Sequence, residues 1–406
     1  MTSHSVTLMA AKSPSSFTLT YTEQQADQKQ KRFQNRVVLQ PEIDLKSYTC
    51  RAVIDWADIR FRTVKYTQWK WIKHHIDKAI GERTWAEKGK LDDDGKYREF
   101  VVRIQEPVTR DLLLAEDVVR ARWDLQEQAE IAGLEVSVDF KPREFSREAL
   151  ALMFGVLVRS HLPSRNVIDE PADRPRFAWG KGDDDNRHVL GYDQRHPERS
   201  DAFLLNPAKD EPAAFDATYY VGAKGSRSAW RTMVKVLDKQ NIATGTRKVL
   251  LERERRVRLE VTVNESELRD MGIKTIMDLA AYRFQRLQGR YFKFAVPTFP
   301  QLATEPAEKR RPLLEFSWKR RLQRFLNAGV VGLEAWDEAW RRKKKQTRKE
   351  ALGTNLPLGL TSVMTGSSST LKDYNELTRK VIQALRHIDD RMRLKDAFPN
   401  AGTSDT

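Results

Sequence analysis

The chain is almost devoid of cysteine, since Cys50 is the only one in 406 residues. A single cysteine excludes a disulfide framework and a cysteine-rich zinc site. Histidine is scarce as well, and none of the seven histidines forms a His-x-His pair that could chelate a metal ion. No apolar run approaches the length of a membrane span, and the N-terminus lacks the charged start and long apolar stretch of a signal peptide. We therefore expect a cytoplasmic protein without a membrane partner.

What the chain has in excess is positive charge, with 72 Lys and Arg against 57 Asp and Glu and a net charge of +15. Residues 216–300 contain 17 basic and 9 acidic residues, and residues 301–350 contain 14 and 7, whereas the rest of the chain is close to neutral. Clustered positive charge binds phosphate backbones without reading base sequence. The charge predicts a nucleic-acid partner, and an anionic membrane surface is the lesser alternative.

Strand-like and helix-like patterns interleave along the chain, and the strands are not purely Val, Ile and Leu. This favours an α+β fold, with helices packed on one face of an antiparallel sheet and a helical basic C-terminal region. The predicted segments are a flexible N-terminal arm at 1–46, an α+β domain at 47–305 with a loop-rich insertion at 163–215 that contains an acidic tip at 183–185, a basic tryptophan-bearing helical region at 306–352, a linker at 353–370, and a C-terminal helix and tail at 371–406.

Residues 217–263 contain the most informative pattern. A strand-like Tyr219-Tyr220-Val221 runs into a loop with Gly222 and Gly225, a basic run at 229–240 is predicted to be a helix, and 257–263 alternates as a strand. Glycine lets a backbone approach a ligand closely, while Lys, Arg and Ser donate to phosphate oxygens. The predicted phosphate contacts of this block are Lys224, Ser226, Arg227, Arg231 and Arg258. The alternative for them is a solvated basic face.

Two alternating strands carry carboxylates on one face. Glu135 and Asp139 share a face of the predicted strand 134–140, and Glu260 lies on the polar face of 257–263. If the apolar faces pack on helices, the three carboxylates converge on the open side of the sheet and offer the oxygen ligands that Mg²⁺ or Mn²⁺ requires. The alternative is that a half-exposed sheet simply turns these charges to water.

The order Y-V-G-x-K-x-S, W-R-x-x-x-K and R-x-E in residues 217–263 resembles plasmid and filamentous-phage rolling-circle replication initiation factors. Their pattern runs roughly Y-I-G-S-x-x-S, R-I-Y-x-K and R-x-E, and the resemblance extends thinly over residues 50–300. It implies an initiator of a plasmid or integrated mobile element that binds origin DNA and nicks one strand in a metal-dependent reaction. Glu135 and Asp139 stand where the family has a D-x-x-x-D strand, and Glu260 matches its R-x-E strand. A host helicase and a second copy of the chain are further possible partners.

Met233 stands at the position of the family's nucleophilic tyrosine, and a thioether cannot form a stable phosphoester. Lys235 matches the family's lysine, so we place Lys235 and Arg231 on the scissile phosphate. Three explanations for Met233 remain open: a metal-activated water, a domain that lost catalysis and kept DNA binding, or a shifted alignment in which another tyrosine acts. The candidate tyrosines are Tyr219, Tyr220, Tyr282 and Tyr291.

The sequence thus leaves two functions open, a nicking enzyme and a non-catalytic DNA-binding initiator or regulator on the same fold. An RNA-binding protein is a third class, but the short aromatic signatures of common RNA modules are missing.

The C-terminal basic helices combine tryptophan with charge, a pairing typical of accessory nucleic-acid contacts or of oligomerisation. Trp318, Trp336 and Trp340 lie near the predicted DNA contacts, which are Lys319, Arg320, Arg341, Arg342 and Lys343. Apolar residues recur at helical spacing here, so the alternative is that the tryptophans belong to the core and the basic run is a solvated helix end.

Overall fold

The computed structural model describes residues 2–88, 97–164, 166–167, 169–179, 186–191, 204–241, 246–301, 312–353 and 370–393. Within them the strands, in chain order, are Ser3–Met9 (β1), Ser16–Gln25 (β2), Arg36–Pro41 (β3), Tyr48–Arg62 (β4), Thr84–Lys88 (β5), Glu99–Gln105 (β6), Glu130–Pro142 (β7), His161–Leu162 (β8), Arg176–Ala178 (β9), Asn186–His188 (β10), Thr218–Val221 (β11), Ser228–Lys235 (β12), Leu237–Asn241 (β13), Thr246–Val249 (β14), Arg256–Asn264 (β15), Lys293–Pro300 (β16) and Thr370–Asp373 (β17). The helices are Trp69–Ile80 (α1), Thr109–Trp123 (α2), Arg147–Ser160 (α3), Glu265–Asp270 (α4), Ile276–Ala281 (α5), Arg286–Tyr291 (α6), Pro312–Gly353 (α7) and Asn375–Met392 (α8).

The strands form two antiparallel sheets and one hairpin among the described residues. The larger sheet has the order β10-β9-β11-β12-β15-β7-β4-β6-β5, and the smaller has the order β1-β2-β3-β16-β17, with β8 paired to β16. Strands β13 and β14 form the hairpin between β12 and β15. The predicted α+β class with antiparallel sheets is confirmed.

Helix α3 joins the two sheets into one core. Ser146 begins it by accepting a hydrogen bond from the Ala149 amide, and ten of its 14 residues are buried. A helix that is apolar on all sides is typically buried on all sides. It contacts β12 and β15 of the larger sheet and β1 and β2 of the smaller one. The helix lies close to β1, since a Cβ on Gly155 would be 2.8 Å from the Leu8 side chain.

The predicted flexible arm at 1–46 is wrong, because most of it forms β1, β2 and β3. Phe17, Leu19 and Tyr21 alternate with threonines, and the Leu19 and Tyr21 side chains are fully buried. Their burial against the core offsets the entropy of ordering a Ser- and Thr-rich segment. The N-terminal residues therefore belong to the folded body.

The C-terminal helices also belong to that body. Helix α7 kinks at Gly329, whose φ of +68° suits glycine, and a Cβ there would lie 2.5 Å from the Cα of Arg159. The Arg159 guanidinium donates to the carbonyl of Leu326 at 2.7 Å. Helix α8 packs on β4, and Lys380 Nζ donates to the Tyr48 carbonyl at 3.0 Å. These helices therefore bury part of the same core.

Two predicted segments lie outside the described residues, namely the acidic tip at 183–185 and most of the linker at 353–370. In the part of the chain that is described, no helix has a long enough apolar stretch to cross a lipid bilayer.

Candidate functional site

The basic run after the glycine loop is a strand, so the helix predicted at 229–240 is wrong. Strand β12 turns Trp230 and Thr232 into the core and Arg231 and Met233 toward the opposite face. It pairs with β11 on one side and β15 on the other, so ladder hydrogen bonds replace helical ones. Arg231 therefore lies in the middle of the larger sheet.

The strand register sets Tyr220, Arg231, Glu260 and Ser137 side by side across four strands. Tyr220 lies opposite Arg231, Arg231 opposite Glu260, and Glu260 opposite Ser137. Residues directly opposite in antiparallel strands point to the same face. The face that carries them is called the polar face below, and the other face of the sheet packs against α3.

Three carboxylates converge on the polar face: Asp55, Glu135 and Glu260. One oxygen of each lies within 4.8 Å of the others. Glu135 and Glu260 are buried, and Asp55 is partly exposed. This group is called the acidic cluster below, and it contains two of the three predicted metal ligands.

Asp55 reaches the cluster because β4 is irregular at that point. The register with β7 shifts between Ile54 and Trp56, which leaves Asp55 as an extra residue on β4. A β-bulge of this kind bends a strand and re-aims a side chain, often beside a functional site. Ile54 and Ala57, on either side of the bulge, both face the core.

Asp139, the third predicted ligand, is not in the cluster because arginines hold it. It lies opposite Arg258 on β15 and accepts two hydrogen bonds from that guanidinium, at 2.6 and 2.8 Å, and a third from Arg256 at 2.9 Å. Arg258 also donates to Asp55 at 2.7 Å. Burial lowers the pKa of Arg258, but its bonds to Asp139 and its other carboxylate neighbours raise it above the ordinary value. Arg258 thus stays charged and ties Asp139 to the cluster's edge.

Glu135 is held in place by three donors. Its Oε1 accepts from Trp56 Nε1 at 3.0 Å, and its Oε2 accepts from Thr262 Oγ1 at 2.6 Å and from Arg231 Nη2 at 2.9 Å. A fixed carboxylate of this kind is suited to a metal ligand or to positioning an arginine.

Arg231 reaches into the cluster from the solvent side. One of its guanidinium nitrogens lies 2.6 Å from Glu260 Oε2, yet that buried oxygen makes no hydrogen bond. The Arg231 side chain is 39% exposed and that of Glu260 is 4% exposed. The Arg231 guanidinium therefore neutralises part of the negative charge of the cluster, and its partly exposed side chain can move toward solvent.

Glu260 has a strongly perturbed acidity. The pKa of Glu260 is raised to about 7, chiefly by burial; the positive charge of Arg231 opposes this rise, and the nearby Glu135 carboxylate adds to it. Strong burial together with specific charge partners is a pattern that enzymes use at functional sites.

The structure distinguishes between the two adjacent tyrosines. Tyr219 is buried on the core side of β11, where burial raises its pKa, so it cannot reach the cluster. Tyr220 lies on the polar face opposite Arg231 and is partly exposed. Tyr291 is buried and donates to Glu267 at 2.7 Å. Tyr220 is therefore the candidate nucleophile that the geometry favours.

Lys235 lies away from the cluster. It is four residues beyond Arg231 along β12, which is about 13 Å in a strand rather than one helical turn. Its Nζ lies 3.3 Å from Asp238. Met233 is on the polar face between Arg231 and Lys235 and lies opposite Arg258. The strand thus separates Lys235 from the position predicted for the scissile phosphate.

The glycine loop is a tight turn between β11 and β12, and an acidic side chain fills it. Gly222 and Gly225 have φ of +90° and +85°. The Asp173 carboxylate accepts from the Ala223 amide at 2.9 Å and from Ser226 Oγ at 3.4 Å. Asp173 therefore occupies the place predicted for a phosphate, while Lys224 is exposed to solvent.

Several predicted phosphate contacts are engaged in ion pairs or packing. Arg227 pairs with Asp270 and, at 3.0 Å, with Glu267. On α7, Lys319 and Arg341 are exposed and pair within the helix, while Arg342 contacts Asp169 and Glu338 and Lys343 covers the Trp340 ring. Arg320 stacks on Trp336, which is buried, and donates to the Leu205 carbonyl. A DNA role for this region stays a prediction.

The cluster has the chemistry of a site for a hard divalent cation. Mg²⁺ and Mn²⁺ prefer carboxylate oxygens, and three such groups converge here on rigid strands. The guanidinium of Arg231 contacts two of them, so a cation would bind in competition with that side chain. Tyr220, opposite Arg231, adds a phenol hydroxyl to the same face.

No family model and no curated protein matches the sequence. Among solved structures, the chain is similar to the class II 3-hydroxy-3-methylglutaryl-CoA reductase from Streptococcus pneumoniae bound to NADPH, at 11% identity over 95% of this chain and 88% of that chain, with a TM-score of 0.19. Aspartate kinase from Synechocystis is similar at 12% identity over 62% of this chain and 44% of that chain, with a TM-score of 0.15. Scores this low carry no argument about fold or function.

Proposed function

We propose that this chain is a replication initiator of a plasmid or an integrated mobile element, which binds origin DNA and nicks one strand with Mg²⁺ or Mn²⁺. The observation that carries the proposal is the convergence of Asp55, Glu135 and Glu260 beside Arg231 and Tyr220. The concentrated positive charge of residues 216–350 supports a DNA partner. In this proposal the protein acts in the cytoplasm, with a host helicase or a second copy of the chain as further partners.

The acidic cluster would hold the cation through one oxygen from each carboxylate. A bound divalent cation would polarise the scissile phosphodiester and stabilise its developing negative charge. Arg231 sits at the rim of the cluster, where its guanidinium can donate to a non-bridging phosphate oxygen once it leaves Glu260. Trp56 and Thr262 keep Glu135 oriented during that exchange.

Tyr220 would attack the phosphorus. An initiator must leave a free 3′-hydroxyl for extension, so the phenol oxygen bonds to phosphorus while the bond from phosphorus to the 3′ oxygen breaks. The phenol proton passes to solvent, and the departing 3′ oxygen takes a proton from solvent. The product is a 5′-phosphotyrosine at Tyr220 and a nicked strand.

Replacing Glu260 with glutamine is expected to reduce nicking by at least about a hundredfold, because even the outer-shell partners of metal ligands contribute about 10- to 100-fold. The substrate is a supercoiled plasmid that carries the origin, incubated with Mn²⁺, and the measurement is the rate at which open circles appear. Glu130→Gln is the matched control, since Glu130 is also a buried carboxylate paired with arginines but lies outside the cluster.

The Glu130→Gln variant should keep a nicking rate within a few-fold of the unmodified protein. An equal loss of nicking rate in both variants would mean that nicking depends on buried charge in general and not on the acidic cluster. Nicking by the unmodified protein in excess chelator would contradict a metal-dependent reaction.

The raised pKa of Glu260 makes metal-induced stabilisation depend on pH. Between its ordinary value of 4.5 and about 7, folded Glu260 keeps a proton that the unfolded chain has released, so this group lowers stability as pH rises through that window. A cation bound to the carboxylate offsets that loss. We expect Mn²⁺ to raise the melting temperature more at pH 8 than at pH 6.

Asp210 has a buried side chain, and its pKa is also raised to about 7, chiefly by burial. It therefore also lowers the stability of the fold as the pH rises, with or without metal. Melting curves with and without Mn²⁺ at each pH separate the two carboxyls. An equal increment at pH 6 and pH 8, or an increment that persists in Glu260→Gln, would refute the assignment.

The second candidate is a non-catalytic DNA-binding initiator or regulator on the same fold. Met233 at the family's tyrosine position and Arg231 inside the cluster favour it. Tight binding of origin DNA with no open-circle product under either cation would support this function over the first.

A further inference from the structure

We propose that strand β1 and the part of α7 before its kink form a docking site for an extended segment of a partner protein, one with apolar residues at every second position and carboxylates between them. The segment pairs with β1 as a further strand of the smaller sheet. This site lies on a different sheet from the acidic cluster, and the inference needs neither metal nor DNA.

Strand β1 has an open edge in the part of the chain that is described. It is the terminal strand of the smaller sheet and pairs with β2 alone. At its start the Thr2 carbonyl accepts from the Glu23 amide at 3.0 Å. Beyond its end the Ala10 amide donates to the Ser15 carbonyl at 3.0 Å. Backbone groups alternate in direction along an antiparallel strand, so even-numbered residues bond to β2 and odd-numbered ones point to the open edge.

One end of the open edge is already paired, and the rest is not. The Phe215 amide donates to the outward carbonyl of Met9 at 3.0 Å. Among the described residues, no backbone group bonds to the outward amides and carbonyls of Ser3, Ser5 and Thr7. A row of such groups is a template for pairing with another extended chain.

Strand β1 also lacks the features that usually block an open edge. Its sequence, SHSVTLM, contains no proline, lysine, arginine or acidic residue. Its register with β2 is regular over all seven pairs, without a bulge. Natural proteins commonly blunt an edge with a charge, a proline or a bulge to prevent unwanted pairing. The edge of β1 is therefore suited to accept a strand.

A groove of about 390 Å³ runs between this edge and α7, and it is called the docking groove below. Its lining residues on the helix recur at spacings of three and four and so share one helix face: Lys319, Leu322, Gln323, Leu326 and Asn327. Val6 of β1 and Leu322 are both buried and form its apolar base. A strand added to β1 would turn every second side chain toward this base, which selects apolar residues at those positions.

The charge of the docking groove favours a segment with carboxylates. Of the nine residues that line it, Lys319 alone is charged, and its side chain is 66% exposed. Lys319 pairs with Glu315 of the same helix at 2.9 Å, but an exposed pair of this spacing is weak, so the ammonium can turn to a bound carboxylate. Residues 301–350 contain 14 basic and 7 acidic residues, which adds a wider attraction.

A second copy of the chain fits this charge less well. Pairing β1 with β1 of another copy would bring two basic α7 helices together, and like charges across an interface oppose association. An acidic segment of a different protein meets no such repulsion.

The test is selection of random short peptides displayed on phage against the full chain, followed by anisotropy titration of the enriched peptides with a fluorescent label. We expect the enriched sequences to alternate apolar residues with Asp or Glu. Thr7→Pro should weaken their binding about tenfold, because it removes an outward donor while leaving the bonds to β2 intact. Thr7→Ala is the matched control, since it keeps the backbone donor, and it should change affinity less than twofold.

Two further measurements address charge and folding separately. Lys319→Glu should weaken binding of the acidic peptides about fivefold, whereas Arg341→Glu, on the same helix but outside the docking groove, should change it less than twofold. Methylation of the peptide amides that face β1 should lower affinity about tenfold on the unmodified protein, whatever the stability of Thr7→Pro.

Enriched peptides without the alternation, no enriched peptide at all, or equal effects of Thr7→Pro and Thr7→Ala would overturn the proposal. A dimer of the chain alone that Thr7→Pro converts into a monomer, measured by light scattering, would assign the docking groove to a second copy instead.

Discussion

The Tyr220→Phe variant is expected to form no covalent adduct with origin DNA, whereas the unmodified protein is expected to become attached to the nicked strand. In the proposed reaction the phenol oxygen bonds to phosphorus, and phenylalanine keeps the ring while removing that oxygen. The measurement is a shifted protein band on a denaturing gel after reaction with a labelled oligonucleotide and Mn²⁺.

Tyr219→Phe and Tyr282→Phe serve as controls for this result. Tyr219 faces the core, and Tyr282 follows α5 away from the cluster, so both variants should still form the adduct. An adduct in Tyr220→Phe would assign the chemistry to another residue. Open circles without any adduct in the unmodified protein would instead indicate hydrolysis by an activated water.

Replacing Arg258 with alanine is expected to lower the free energy of unfolding by about 3–5 kcal/mol, the usual cost of leaving a buried charge without its partner. Arg258 is 2% exposed and bonds both Asp139 and Asp55, so its loss removes the cation that these two carboxylates share. Urea denaturation measured by tryptophan fluorescence gives the change.

Arg227→Ala provides the comparison for Arg258→Ala. Arg227 also pairs with two carboxylates, but its side chain is 55% exposed, so its loss should lower the free energy of unfolding far less than the loss of Arg258. Similar losses in both variants would show that the Arg258 network contributes no more than a surface pair. A double replacement of Arg258 and Asp139 by apolar residues should recover part of the stability.

The sequence predicts the central strands well because their apolar residues alternate strictly. Residues 257–263 place Val257, Leu259, Val261 and Val263 on one face, and the observed strand buries all four. Strand β12 lacks this signal. Its core positions hold Trp230 and Thr232, and the apolar Met233 and Val234 are adjacent. The sequence therefore shows no alternation of apolar and polar residues there.

The N-terminal strands show a different limit. Phe17, Leu19 and Tyr21 alternate with threonine as a strand does, but the overall Ser, Thr and Gln content favoured disorder. Composition averages over a segment, whereas a strand depends on every second residue. In residues 17–21 the alternation of apolar residues with threonine therefore predicts the structure better than the overall composition does.

The site was predictable in part. Glu135 and Glu260 follow from alternation, and register alone brings them together. Asp55 could not be placed by a strict period, because its bulge reverses the parity of β4. One feature of the sequence does indicate the bulge. Asp55 is two and four positions from Ala57 and Ile59, which both face the core, so a regular strand would bury its carboxylate. Asp139 is kept out of the cluster by ion pairs between two strands, β7 and β15, and such pairs are not visible in either segment alone.

The bulge at Asp55 has a consequence for how such a site is gained or lost. Without that residue, Ile54 and Ala57 would be separated by Trp56 alone, and β4 would alternate regularly from Ala52 to Phe61. Deletion of one codon would therefore remove a candidate metal ligand while leaving the sheet's apolar face in register. A single deletion could therefore remove the acidic cluster and retain the scaffold, and descendants with and without the cluster would share almost the same fold.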